Sequence, residues 1–295
     1  MEQFFKRTTS NTLPEDTTRL FFKRTTSNTL PEDTAGFPVY FQDFTCLHQR
    51  LPKKGRTPEK DALFKEGLRN LSANYGNSSS QVYFLRCTDV PAELEGVTNK
   101  TPYHKRGWTN FESRVGAVKN KRETTHLGPF TGTLEQIPLS PPAFQRLLEE
   151  KRPEERSEDN KEGFVVRFTN GKEDRPLVAK LYRDFVLDTQ VRGQKEINMW
   201  NRSRIDTKEK GEMLGEYFAW MGKQPECQVV EVSLTVCFLN DDSLPPVAAG
   251  LRALSSLRKL DLRSNTFGLS SLSALTCLRQ LKVGEQRIER RELIF

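Results

Sequence analysis

Three side chains carry the residue types and spacing that could do chemistry. Trp108 and Glu112 stand four apart, which puts an indole and a carboxylate on one face if the segment is helical. Asp43 lies in the aromatic and β-branched run Val39-Tyr40-Phe41-Gln42-Asp43-Phe44, at the C-terminal end of an expected strand. Open parallel sheets bind ligands at that edge. Each has a structural alternative. Trp108 keeps helical spacing with Phe111 and Val115 and so reads as a core anchor, Glu112 can pair with Arg106 or Arg114, and Asp43 can cap the following turn. Cys46, with only His48 and His104 nearby, reads as a small buried residue rather than a nucleophile. The five cysteines (Cys46, Cys87, Cys227, Cys237, Cys277) are odd in number and show no metal-ligand spacing. Neither a disulfide framework nor a zinc site is expected, and the thiols fit a reducing, cytoplasmic compartment.

A second set of residues points to binding. Leu257-x-x-Leu260-x-Leu262-x-x-Asn265 fits the leucine-rich-repeat template. Val229-x-x-Val232-x-Leu234-x-x-Cys237 precedes it and Leu278-x-x-Leu281-x-Val283-x-x-Gln286 follows, at offsets within the roughly 20–29 residues of such repeats. Val247, Leu251 and Leu254 supply a helical side before the middle copy, and Leu269, Leu272 and Leu275 before the last. Met213 to Met221 supplies a helix before the first. Each turn buries its apolar edge only against a neighbour, and Asn265 would satisfy backbone groups at the bend. The outward strand positions Arg258, Lys259, Asp261, Arg263, Arg279, Gln280 and Lys282 form a basic strip suited to an acidic protein partner.

The elements that would hold the first three residues lie upstream. The chain has 295 residues, 35% of them hydrophobic and 29% charged, with net charge +7. That composition supports a core together with long solvated stretches. No apolar window approaches a membrane span, and the start lacks a secretory pattern. FFKRTTSNTLPEDT occurs twice, letter for letter, at Phe4–Thr17 and Phe21–Thr34. The identity implies recent duplication or an assembled gene product, and residues 1–36 read as disordered. Acidic residues in both copies argue against a mitochondrial presequence. Beyond Val39–Phe44, a helix is expected over Arg56 to Tyr75, a strand over Gln81–Leu85, and a helix carrying Trp108, Phe111, Val115 and Val118. This order predicts a βαβ unit, with Val39–Phe44 and Val82–Leu85 adjacent and parallel. The basic run Lys100 to Arg122 reads as a solvated helix face, so a nucleic-acid partner is not expected. Glu149 to Glu162 is almost wholly charged and reads as a solvated loop or frayed helix end. Phe164–Phe168 reads as an edge strand or an extended connection, and Leu177–Tyr182 is helix-like.

Phe41-Gln42-Asp43-Phe44-Thr45-Cys46-Leu47-His48-Gln49 resembles the W-I-D-x-L-C-I-N-Q signature of heterokaryon-incompatibility (HET) domains, and Arg106-Gly107-Trp108-Thr109-Asn110-Phe111-Glu112 is similar to their later R-x-W-T-x-Q-E element. Together with Phe168-Thr169-Asn170-Gly171, these motifs also resemble uncharacterised algal and protist proteins with D-F-x-S-L-P-Q, R-G-W-x-x-F-E and F-T-N-G in that order. The resemblance spans Phe37 to Phe185. It implies a HET/TIR-like α/β fold, a doubly wound parallel sheet, and it implies that Trp108 and Glu112 stand in the W-x-x-x-E relation of NAD-cleaving TIR domains. There a carboxylate would bind ribose hydroxyls and stabilise an oxocarbenium-like transition state. The duplicated tract occupies the place of the family's first strand.

The sequence therefore predicts an α/β domain over residues 37–200, with its first strand missing, and a short leucine-rich-repeat module over 208–295. The expected function is a non-enzymatic interaction or signalling protein with no cofactor. The alternatives are an NAD glycohydrolase using Glu112, with Trp108 and Asp43, and a degenerate gene product without activity.

Overall fold

The computed structural model describes residues 56–76, 82–85, 101–118, 124–127, 137–199, 204–268, 280–283 and 286–289. The duplicated tract, the expected strand Val39–Phe44, and the helix expected from Leu269 to Leu275 lie outside them. The chain divides into two compact units, Met1–Leu71 and Ser72–Phe295.

Helix α1 (Pro58–Gly76) begins in the first unit. Proline at its first position, Glu59 and Asp61 in its first turn, and Thr57 accepting from the Lys60 N–H at 3.3 Å satisfy its N-terminus. The Arg56 guanidinium lies 3.4 Å from the Phe64 ring centroid and 3.7 Å from Asp61, fixing the first turn.

The second unit is mixed α/β and its described residues hold two sheets. In the smaller, β1 (Val82–Leu85) pairs in parallel with β2 (Thr124–Leu127), Val82 beside Thr124 and Leu85 beside Leu127. Helix α2 (Gly107–Gly116) lies between them in sequence, so the parallel strand–helix–strand unit is β1–α2–β2. The parallel partner seen for Val82–Leu85 is thus a segment after the helix, one the sequence reading did not assign as a strand.

Helix α2 buries Phe111 and Val115 completely. Its first residue must be glycine, because a Cβ at Gly107 would overlap the Phe168 ring. The backbones lock there too: the Gly107 N–H donates to the Arg167 carbonyl at 2.8 Å, and the Arg167 N–H to the Lys105 carbonyl at 2.7 Å. The R-G-W and F-T-N-G segments, far apart in sequence, thus meet. Phe164–Phe168 is an extended connection with isolated bridges.

Helix α3 (Pro141–Glu149) is capped by Ser140, whose hydroxyl accepts from the Ala143 N–H, and opens with two prolines. It packs on α4 (Gly171–Val186), with the Phe144 and Tyr182 ring centroids 4.3 Å apart. The Tyr182 hydroxyl donates to the Leu139 carbonyl and accepts from the Leu139 N–H, so this fully buried phenol is satisfied, and burial pushes its pKa up. A five-residue π-turn, Leu187–Val191, extends α4.

The charged segment between α3 and α4 is more structured than its composition suggests. Asn160 donates to the Glu155 and Phe164 carbonyls and accepts from the Phe164 N–H, closing a compact loop. Glu155 turns inward and pairs with both Lys105 and Arg167. A charge count cannot reveal that a carboxylate so placed finds two cations.

The larger sheet runs β3 (Glu196–Asn198), β4 (Glu231–Ser233), β5 (Lys259–Asp261), β6 (Gln280–Val283) and β7 (Gln286–Glu289). The first four are mutually parallel and β7 is antiparallel to β6. Ile197, Val232, Leu260 and Leu281 align across the strands, and the first three are buried. Between successive strands in sequence come α5 (Lys208–Gly222) and α6 (Leu244–Leu251), with Leu214, Phe218, Met221, Val247 and Leu251 wholly enclosed. The two helices touch backbone to backbone. A Cβ at Gly211 would strike the Ser243 carbonyl, one at Gly215 the Pro246 carbonyl, and one at Gly250 the backbone of Gly215. Helices α3 and α5 are joined by Glu216, which takes hydrogen bonds from Ser140 and, on both oxygens, from Arg146.

Candidate functional site

The parallel strands β3 to β5 each bury their central apolar residue, Ile197, Val232 and Leu260, between polar ones. A parallel sheet is normally covered on both faces; here the outer face of β3–β5 keeps Glu196, Asn198, Lys259 and Arg263 exposed. Across the strands, Glu196, Glu231, Lys259 and Gln280 form one row, and Asn198, Ser233, Asp261 and Lys282 the next.

The bends after β4 and β5 are held by two side chains, Asn265 and Cys237. The Asn265 carbonyl oxygen accepts from the Cys237 and Leu239 N–H groups at 3.1 and 2.9 Å. Its amide donates to the Leu234 and Leu262 carbonyls at 2.9 and 2.8 Å. One turn earlier, the Cys237 thiol donates to the Met199 carbonyl at 3.1 Å. Val236 and Ser264, each just before these residues, both take positive φ (57° and 58°), a conformation a β-branched residue rarely adopts.

Two charge pairs form within the face. Lys259 meets Glu231 at 3.2 Å on the neighbouring strand. Arg263 grips Asp261 through Nε and Nη2, the shortest contact being 2.7 Å. Burial works against the Asp261 charge, yet the bonds from Arg263 and Thr235 outweigh it and hold its pKa below the usual carboxylate value. Arg258 folds back on the carbonyls of Ser255 and Leu257. Arg279 lies outside the described residues, and Lys282 lies on β6 beside Asp261. Of the strip's described cations, Lys259 and Arg263 are thus each matched by a carboxylate, Glu231 and Asp261.

The residues singled out for catalysis sit elsewhere. Asp43 lies outside the described residues. Trp108 and Glu112 are both on α2 and half-buried. The Trp108 indole is edge-on to the buried Phe111 at 6.2 Å and turns its N–H toward Asp174 of α4 at 3.4 Å. Burial raises the Asp174 pKa, partly offset by that N–H. Among the described residues no group of His, Cys, Asp and Glu could hold a metal ion, and no helix is long and apolar enough to cross a membrane.

The sequence reading missed β3. Its only signal is Ile197-x-Met199, because Gln194 stands where the repeat pattern wants an apolar residue. Comparison with protein-family models, curated proteins and solved structures finds no match to this chain.

Proposed function

We propose that this chain is a non-enzymatic interaction protein whose C-terminal part is a short leucine-rich-repeat array. In this reading the outer face of β3–β5 receives a protein partner. The observation that carries the proposal is the Asn265 side chain, which joins two successive turns in the way the template's asparagine is placed to do. The exposed cations Arg258, Lys259 and Arg263 on this face favour an acidic protein partner. For the region around β1–α2–β2 we propose a HET/TIR-like layer, supported by the parallel pairing across a helix. A reducing, cytoplasmic location is supported by the cysteines' odd number and lack of metal-ligand spacing.

The anchoring of Trp108 on Phe111 and Asp174 supports a packing role over a catalytic one. Two measurements test the reading. A photo-crosslinking residue placed at Ser233 or Lys259 should give partner adducts in cells, while one at the exposed Ala249 of α6 should not; the reverse pattern defeats the proposal. Purified protein should release no nicotinamide from NAD. Release lost in Glu112→Ala and kept in Glu135→Ala would establish the hydrolase instead.

A further inference from the structure

A second surface is lined by residues of α3 and α4 and by Trp220 near the end of α5. It is an open groove of about 540 Å³, with Pro142 and Pro176 exposed on its walls and Trp220 half-buried beside them. The indole N–H of Trp220 has no partner among the described residues. Aromatic and arginine side chains on such a surface are the residues in which binding energy concentrates.

Its charge is one-sided. Lys172, Arg175, Lys180 and Arg183 line it against the single carboxylate Glu149. Lys180 and Arg183 share Asp184, at 2.6 and 3.5 Å. Lys172 and Arg175 make no ion pair among the described residues. Arg175 is held instead by the Leu148 and Gly171 carbonyls and by the Phe164 ring, whose centroid is 3.6 Å away. Carbonyls and ring faces orient a guanidinium without neutralising it. Partial burial lowers its pKa, and Glu162 and Glu149 act on it only at a distance.

We propose that this groove binds an extended, acidic peptide segment of a partner protein, with carboxylates set against Lys172, Arg175 and Arg183 and an apolar side chain against Trp220 and the prolines. Two features favour a peptide over a single small anion. The cations are strung along α4 from Lys172 to Arg183 rather than converging on one point, and apolar rings lie between them. Aromatic-lined grooves recognise extended, proline-bearing segments, and the Trp220 indole N–H is a donor for their carbonyls. This surface is independent of the proposed sheet face, so either can fail alone.

The test uses the full chain and a fluorescein-labelled peptide of alternating glutamate and proline, read by anisotropy. Binding should be salt-sensitive and should weaken at least tenfold in the double variant Lys172→Glu/Arg183→Glu. Both side chains are exposed, so the fold should survive, and an unchanged thermal midpoint checks this. Trp220→Phe, which keeps the ring and removes the N–H, should weaken binding severalfold. Lys259→Glu on the sheet should leave it unchanged. The proposal is overturned if the double variant binds as wild type, if a lysine–proline peptide binds equally well, if Lys259→Glu abolishes binding, or if a single-stranded oligonucleotide binds more tightly than the acidic peptide.

Discussion

Asn265 and Cys237 stand 28 residues apart and hold the same place in successive turns: the Asn265 amide donates to the Leu234 carbonyl, and the Cys237 thiol to the Met199 carbonyl. Each side chain therefore ties its own bend to the strand before it. Asn265→Ala would leave the Cys237 and Leu239 N–H groups without their acceptor, at about 1–3 kcal/mol for each buried group. Thermal unfolding should show a fall of about 5 °C or more in a unit of this size. Cys237→Ser, which keeps a donor, should cost less than Cys237→Ala.

The α5–α6 contact gives a prediction whose sign is diagnostic. Helix propensity alone favours alanine over glycine by about 1 kcal/mol. At Gly215 and Gly250 the added methyl would meet backbone that cannot move aside. Gly215→Ala and Gly250→Ala should both lower the urea midpoint, whereas Glu212→Ala on the exposed side of α5 should leave it nearly unchanged.

The junction of the R-G-W and F-T-N-G segments can be tested by a double-mutant cycle. Gly107→Ala should destabilise the protein because its Cβ would overlap the Phe168 ring. Phe168→Ala should destabilise it by lost packing. The pair together should cost less than the two separately, since removing the ring makes room for the methyl. Strict additivity in denaturant titrations would mean the two residues do not act on each other.

Glu155 makes the stability pH-dependent. The hydrogen bond from Lys105, followed by that from Arg167, holds its pKa below the ordinary carboxylate value despite the opposing effect of burial. A group whose folded pKa is depressed stabilises the fold above its unfolded pKa and loses that contribution as pH falls through the folded one. The stability difference between wild type and Glu155→Gln should therefore be full at neutral pH and shrink below about pH 4. A difference that grows on acidification would contradict the assignment.

What could be read in advance follows from what each signal encodes. Apolar spacing is a property of single elements, so α1, α2 and the strands around Val232, Leu260 and Leu281 were visible. Strand β2 reads Thr-Thr-His-Leu, with no alternation to mark it, and β3 carries only Ile197 and Met199. Arg263 and Lys259 were recognisable as outward residues of the candidate face. Their pairing was not, because Glu231 comes from another strand 28 residues away. Glu155 was hidden for the same reason: Lys105, its main partner, lies 50 residues earlier. For Trp108, spacing does not separate a core anchor from a ligand platform, and its indole N–H contact with Asp174, 66 residues away, was not legible either.

The glycine-lined contact between α5 and α6 bears on the geometry of the opposite side. Strands in a ladder stand about 4.8 Å apart, whereas packed helices usually need about 8–10 Å, and that mismatch is what bends a stack of strand-plus-helix units into a horseshoe. Glycine at positions 211, 215 and 250 lets these two helices approach backbone to backbone, which reduces that mismatch. Under the proposed function, the flatness of the face offered to a partner would then be set by Gly211, Gly215 and Gly250 of the helix pair rather than by the strands themselves.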